Sequence, residues 1–206
     1  MPHSWSGPHK ARWMSHPQAL ASLLAGQGAY ARTLRAWLAD TGSMTLKLKA
    51  RSDDFSVRLL RQRPARALAD EHAMIGLPSA SRVVERDVIL HCDGRPVVFG
   101  HTVIATTSVK TDWPFFSRLG NTPLGANLFF DPLVRRHPIQ FARLAANHPL
   151  AQRIARALPG QALPPALYAR RSLFRRRRGV MMVTDVFLPA LDALMCAEGR
   201  SNQDTQ

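Results

Sequence analysis

The chain has 206 residues, 46% of them hydrophobic, which suits one globular domain with a real core. Lys and Arg number 28 against 14 Asp and Glu, a net charge of +14 that points to polyanions or small anions as partners. The two cysteines, Cys92 and Cys196, lack metal-type spacing and are too few for a disulfide framework, so both read as buried, inert thiols in a reducing compartment.

No basic stretch leads into a long apolar run with a small-residue cleavage site, so no signal peptide is expected. The longest apolar stretch, 180–195, is interrupted by Asp185, Pro189 and Asp192 and is too short to span a bilayer. Cytoplasmic location is the expectation.

Residues 1–16 mix Pro, Gly, Ser and His without periodicity and read as a mobile arm. The domain is expected over 17–196, with a flexible tail over 197–206. Leu20, Leu23, Leu24, Leu34, Trp37 and Leu38 fall at helical intervals, and Gly26 and Gly28 split that region into two helices, the second ending near "DTGS". "FSVRLL" at 55–60 alternates as a half-wet strand should. Residues 82–106 read as a hairpin, two β-branched runs joined through the Asp-Gly of "DGRP".

The segment "RLGNTPLGANLFF" at 118–130 breaks an otherwise helical region with two glycines and a proline. Two readings stand. It is a helix junction, with Gly120 as C-cap, Thr122 as N-cap and Pro123 in the first turn, or it presents backbone to a ligand. Beyond it, "IQFARL" at 139–144 is a weaker strand, and "NHPLAQRIARAL" is an amphipathic helix capped near Asn147 or His148 with Pro149 in its first turn. A Pro-rich bridge precedes a last hairpin, "SLFRRRRGVMMVTDVFLP", with Gly179 near its turn and Pro189 closing it. The run of arginines at 175–178 reads as the solvated hairpin tip, because no aromatic residues interleave it as single-strand binding needs.

Strands joined mainly by hairpins, with helices grouped between them, predict an α+β domain: a single antiparallel sheet with helices packed on one face. No Gly-rich loop follows a strand into a helix, so no nucleotide cofactor is expected. Catalytic constellations are sparse. The histidines form no pair on one helical face, no serine sits in a nucleophile elbow, and Asp53 and Asp54 would point to opposite faces of a strand. Two charges stand out because they lie inside apolar strands: Arg86 in "VVERDVIL" and Asp185 in "MMVTDVFLP". Each needs a partner there, or a place on the solvated face. Glu85 and Asp87 are the local candidates for Arg86.

Five segments together carry a family resemblance: "WLADTGSMT" at 37–45, "SRVVERDVILHCDGRPVVFGHTVI" at 81–104, "LGNTPLGANLF" at 119–129, "RRS" at 170–172 and "VTDVFLPA" at 183–190. In this order they resemble the chorismate pyruvate-lyase family, with "TPLG" the most specific piece. The stretch 148–169 matches less well and reads as an insertion. The resemblance implies removal of pyruvate from chorismate to give 4-hydroxybenzoate, the ring precursor of ubiquinone, without a cofactor. A monomer with chorismate as its small-molecule partner and no nucleic-acid partner is the expectation. It also implies a substrate site. Met44 would line an apolar pocket, Arg86 would grip the ring carboxylate, Leu124 would give backbone and wall contacts, and Asp185 would meet the ring hydroxyl, with Arg86 and Asp185 the catalytic pair. Arg170 and Arg171 are the alternative anchors. The family usually carries glutamate where this chain has Asp185, one methylene shorter. The same fold also resembles the effector-binding domains of GntR-type regulators, so a non-catalytic domain sensing a small anion is the alternative. The first 40 residues are too short and irregular for the winged helix-turn-helix such a regulator needs. A nucleic-acid-binding reading rests on charge alone.

Overall fold

In a computed structural model, which describes residues 11–28, 30–78 and 81–195, one antiparallel sheet organises the chain. Helices α1 (Pro17–Leu23), α2 (Tyr30–Leu38) and α3 (Met44–Lys49) come first. Strands β1 (Phe55–Arg66), β2 (Arg82–Cys92) and β3 (Arg95–Ala105) follow as a meander. Short helices α4 (Ser108–Thr111) and α5 (Gly125–Phe129), with a 3-10 turn at Phe116–Arg118 between them, lead to β4 (Val134–Arg136), β5 (Gln140–Ala145), α6 (Pro149–Ala157), β6 (Ala166–Arg176) and β7 (Gly179–Phe187). The sheet order is β1-β2-β3-β7-β6-β4, with β5 also paired to β6.

The two predicted hairpins form for the reasons legible in their residues. Asp93 and Gly94 both take positive φ, at 50° and 73°, the turn that matches the twist of β2 and β3. In the last hairpin the turn is Arg177-Arg178, with Arg177 at φ 54°, and Gly179 opens β7 rather than making the turn. The arginine run is the hairpin tip. Strand β1 runs to Arg66, well past residue 60, and tolerates Pro64 because it lies at the sheet edge. Strand β6 begins at Ala166, inside the segment read as a proline-rich bridge. In α6 the His148 imidazole accepts from Leu150 N at 3.2 Å, with Pro149 at the first helical position, as the sequence predicted.

Strand alternation sorts the core into two faces. On one face Val57, Leu90, Val98 and Phe187 pack beneath Leu34, Trp37, Leu38 and Leu48 of α2 and α3. On the other, Ile89, Phe99, Val186 and Ala142 pack against Leu150 and Ile154 of α6. Helices therefore cover both faces, not the one expected, because α6 carries its own apolar stripe onto the back of the sheet. Residues 11–16, expected to be a mobile arm, are tied down where they are described. Met14 exchanges backbone hydrogen bonds with Phe141 at 2.9 and 2.7 Å, and the Trp13 indole donates to Asp70 Oδ2 at 2.6 Å. Cys92 is buried, and burial raises its thiol pKa, which keeps it unreactive. Residues 1–10, the tail 197–206 and Cys196 lie outside the described residues.

Candidate active site

The front face of the sheet carries the site, and its register fixes the order of the groups. Side chains at Val88, Gly100, Asp185 and Arg170 form one row across β2, β3, β7 and β6, and Arg86, Thr102, Val183 and Ser172 form the next. Arg136 of β4 stands beyond Phe174 of β6. All of these line one cavity, together with Met44 and Leu124, so the four residues singled out in the sequence meet in one place. Arg86 and Asp185 are two strand spacings across and two residues along from each other, about 12 Å between backbones. Between them lies Gly100, where an added Cβ would stand 3.0 Å from Val88 Cγ2. The missing side chain leaves a floor on which one six-membered ring can lie with a polar group at each end. Nothing in the sequence pattern singled out Gly100; only the register does.

Two lids roof the cavity. The first runs from Asp40 into α3: Asp40 Oδ1 accepts from Gly42 N at 2.6 Å, Asp40 Oδ2 pairs with Lys47 at 2.8 Å, and Ser43 caps α3 by accepting from Leu46 N at 3.4 Å. Helix α3 was not expected beyond "DTGS"; its six residues were too few to show a period. The second lid is the 118–130 segment. Gly120, at φ +47°, ends the 3-10 turn as a C-terminal glycine should, and Thr122 N closes back on Leu119 O at 2.6 Å. Helix α5 starts at Gly125, so Thr122 is not its N-cap. Gly125 marks the close approach of one lid to the other: a Cβ there would meet Ser43 Oγ at 2.7 Å and Thr45 Oγ1 at 2.9 Å. The glycine serves lid-to-lid packing, where the sequence suggested approach to a ligand. Asn121 ties the loop to the sheet by accepting from Leu59 N at 2.9 Å, at the bulge of β1.

Arg86 is 2% exposed and has no carboxylate partner among the described residues. Its neighbours Glu85 and Asp87 point to the back face and pair there with Arg61 and Arg153, so the local pairing considered for it does not occur. Nη2 donates to the Gly120 and Thr122 carbonyls at 2.9 and 3.0 Å, and Nε is buried without a partner. Burial alone pulls its pKa down to about 10. This is a cation held at the cavity wall, latched to the second lid and lacking an anion.

Asp185 is held differently. Its Oδ2 accepts from Arg170 Nε at 3.1 Å, and Arg170, itself 2% exposed, spends Nη1 on the carbonyls of Trp37 and Asp40 at 3.1 and 2.6 Å. Arg170 thereby spends Nε and Nη1 within the protein, and Asp185 Oδ1, which makes no hydrogen bond among the described residues, is the acceptor left for a ligand. Arg171, the other alternative anchor, sends its guanidinium to the back face, to Gln140 Oε1 at 2.8 Å and the Asp70 carbonyl at 2.9 Å, and stacks on Trp13. It is removed as a ligand group. Behind the site, His101 sits between Asp87 Oδ1 at 2.5 Å and Glu71 Oε1 at 3.1 Å. Burial opposes its charge, but the two carboxylates prevail and push its pKa up to about 10.

Fold and cavity together form a small-molecule site, roofed by two lids, with the buried Arg86 on one side and the Asp185 carboxylate on the other. A sequence model of the chorismate lyase family matches residues 24–193, and the chain belongs to that family. It is 49% identical over 158 residues to a probable chorismate pyruvate-lyase of Cupriavidus pinatubonensis, covering 77% of this chain and 81% of that one. To a second, from Cupriavidus metallidurans, it is 46% identical over 182 residues, covering 88% and 82%. Among solved structures, the ligand-binding domain of a putative GntR-family transcriptional regulator from Bordetella bronchiseptica is similar at TM-score 0.48 and 18% identity, covering 67% of this chain and 86% of that one.

Proposed function

We propose that the protein is a chorismate pyruvate-lyase, converting chorismate to 4-hydroxybenzoate and pyruvate, in which Arg86 grips the ring carboxylate, Asp185 meets the ring hydroxyl, and Met44 and Leu124 enclose the ring. The observation that carries this reading is the buried Arg86 with its unpartnered Nε. An uncompensated cation in a closed apolar cavity is expensive, and a substrate carboxylate is the counter-ion that offsets the cost.

The chemistry asks little of the protein. Chorismate carries a hydroxyl para to its ring carboxylate and an enolpyruvyl ether on the next ring carbon. The C–H bond at the hydroxyl carbon breaks, its electron pair forms the last ring double bond, and the ether C–O bond breaks. The departing enolpyruvate takes a proton on its methylene carbon and becomes pyruvate. Atoms and electrons balance without an oxidant or a second substrate, and aromatisation supplies the driving force. The residues then orient the ring, exclude water and assist the proton. Asp185 Oδ1 is the group that holds the hydroxyl or receives the proton from the carbon beneath it, while Arg170 keeps the carboxylate aimed.

The same reading has the enzyme act as a monomer in the cytoplasm on a soluble substrate, without a nucleic-acid partner. Among the described residues no helix is long and apolar enough to cross a membrane. The test is to incubate the purified protein with chorismate and follow both products. Equimolar 4-hydroxybenzoate and pyruvate support the reading; chorismate that binds and stays intact favours a sensor of small anions.

A further inference from the structure

Chorismate carries two carboxylates, and the reading above accounts for one. The second sits on the enolpyruvyl group, which leaves the ring from the carbon next to the hydroxyl carbon and so projects to one side of the line from ring carboxylate to hydroxyl. On the sheet Arg86 shares a row with Ser172; Gly100, Asp185 and Arg170 lie in the row on one side of it, and Arg136 lies in the row on the other, so Arg136 stands to one side of the line from Arg86 to Asp185. Arg136 lies two strand spacings across and four residues along from Asp185, about 16 Å between backbones, and its side chain leans back over the cavity as far as Ser172, in the row of Arg86.

The cavity's charges point the same way. Three guanidinium groups, Arg86, Arg136 and Arg170, face one carboxylate, Asp185, a surplus of two positive charges for a dianionic substrate. Arg170 is already neutralised by Asp185 and committed to two carbonyls. Arg136 has no ion pair among the described residues. Its Nε donates to Ser172 Oγ at 3.0 Å, its Nη1 to the carbonyls of Thr41 and Gly42 at 2.5 and 3.4 Å, and Nη2 has no partner among the described residues. The guanidinium lies 5.4 Å from the Phe174 ring centroid and 5.6 Å from that of Phe129, which fixes its plane.

We propose that Arg136 anchors the enolpyruvyl carboxylate of the substrate through its free Nη2, and so distinguishes substrate from product. The inference rests on the chorismate reading. It makes the release step asymmetric: pyruvate takes the second carboxylate away, and 4-hydroxybenzoate keeps only its contacts with Arg86 and Asp185. The competing role for Arg136 is structural, as a clasp between the sheet and the 41–42 turn of the first lid, and the two roles separate cleanly in a measurement on the full-length enzyme.

Arg136→Gln keeps a donor for the lid carbonyls and removes the charge. KM for chorismate should rise about 30-fold or more, as for a buried ion pair lost on one side, while Kd for 4-hydroxybenzoate stays within about twofold. Arg136→Lys should recover part of the substrate affinity, because a point charge replaces the fork. The control, Arg86→Ala, should weaken substrate and product alike. Equal weakening of substrate and product in Arg136→Gln would make the residue a lid clasp and overturn the proposal, as would an unchanged KM. If Arg136→Gln fails to fold, the ratio of substrate to product affinity in Arg136→Lys decides, with an unaltered ratio counting against the assignment. A wild-type protein that binds 4-hydroxybenzoate but never turns over chorismate overturns the function itself, a failure visible before any variant is compared.

Discussion

Replacing Arg86 by Met separates a ligand-binding arginine from a structural one, because the two make opposite demands on stability. The unliganded protein loses two charge-assisted hydrogen bonds to the Gly120 and Thr122 carbonyls, each worth about 1.5–3 kcal/mol. It also sheds a buried cation with no counter-ion, a relief of several kcal/mol. These nearly cancel, so the net change should stay within about 2 kcal/mol, a Tm shift of at most roughly 4–8 °C for a chain of this size. Ligand binding has no such compensation. Losing one side of a buried ion pair costs about 2–5 kcal/mol, or roughly 30- to 4,000-fold in product affinity. The assay is thermal unfolding with and without 4-hydroxybenzoate. At about 100 times Kd the wild type should gain about 2.7 kcal/mol, roughly 5–11 °C, and the variant at the same concentration no more than about 0.9 kcal/mol. A variant that melts far earlier yet keeps its ligand-induced shift would refute the reasoning and return Arg86 to the role of a lid clasp.

Gly125→Val should prop α5 away from Ser43 and Thr45, so product dissociation should quicken and product affinity fall about tenfold or more in stopped-flow measurements; unchanged rates would mean the lids do not gate the cavity. Asp185→Asn should cut kcat about 100- to 10,000-fold if Asp185 takes the proton, with substrate affinity far less affected, and steady-state kinetics on a variant of checked stability decide it. Asp185→Glu should keep substantial activity only where Arg170 can still pair with the longer side chain. His101 gives a pH prediction with a definite sign. Its folded pKa, raised to about 10 from an unfolded value near 6.5, means its stabilisation is complete below about pH 6.5 and is lost as pH climbs through about 10. Denaturant unfolding at neutral and alkaline pH should show this loss in the wild type and much less of it in His101→Arg, which stays charged.

What the sequence revealed follows from range. The Asp93-Gly94 turn, the His148-Pro149 start of α6 and the edge position of Pro64 are local signals, and the hairpins and helix followed from them. Met44, Arg86, Leu124 and Asp185 emerged through family resemblance; the sheet register brings Arg86 and Asp185 to one cavity, and the two lids bring Met44 and Leu124. The remaining site residues are long-range facts. Gly100 acquires meaning only when β3 is placed between Arg86 and Asp185, Arg170 only when its neighbours show that it alone of the 170–171 pair faces front, and Arg136 only when the three-residue strand β4 joins β6. A strand that short has no readable period. Helix α3 escaped for the same reason, and the glycine at 125 pointed to close approach without saying to what.

The crystal structure of the protein with bound 4-hydroxybenzoate tests the central claim most directly. The ring should lie over Gly100, with its carboxylate within hydrogen-bond distance of Arg86 Nε, its hydroxyl on Asp185 Oδ1, and Arg136 Nη2 left untouched by the product. A ring bound in the reverse sense, with its carboxylate toward Arg170 and Arg136, or seated outside the two lids, would contradict it.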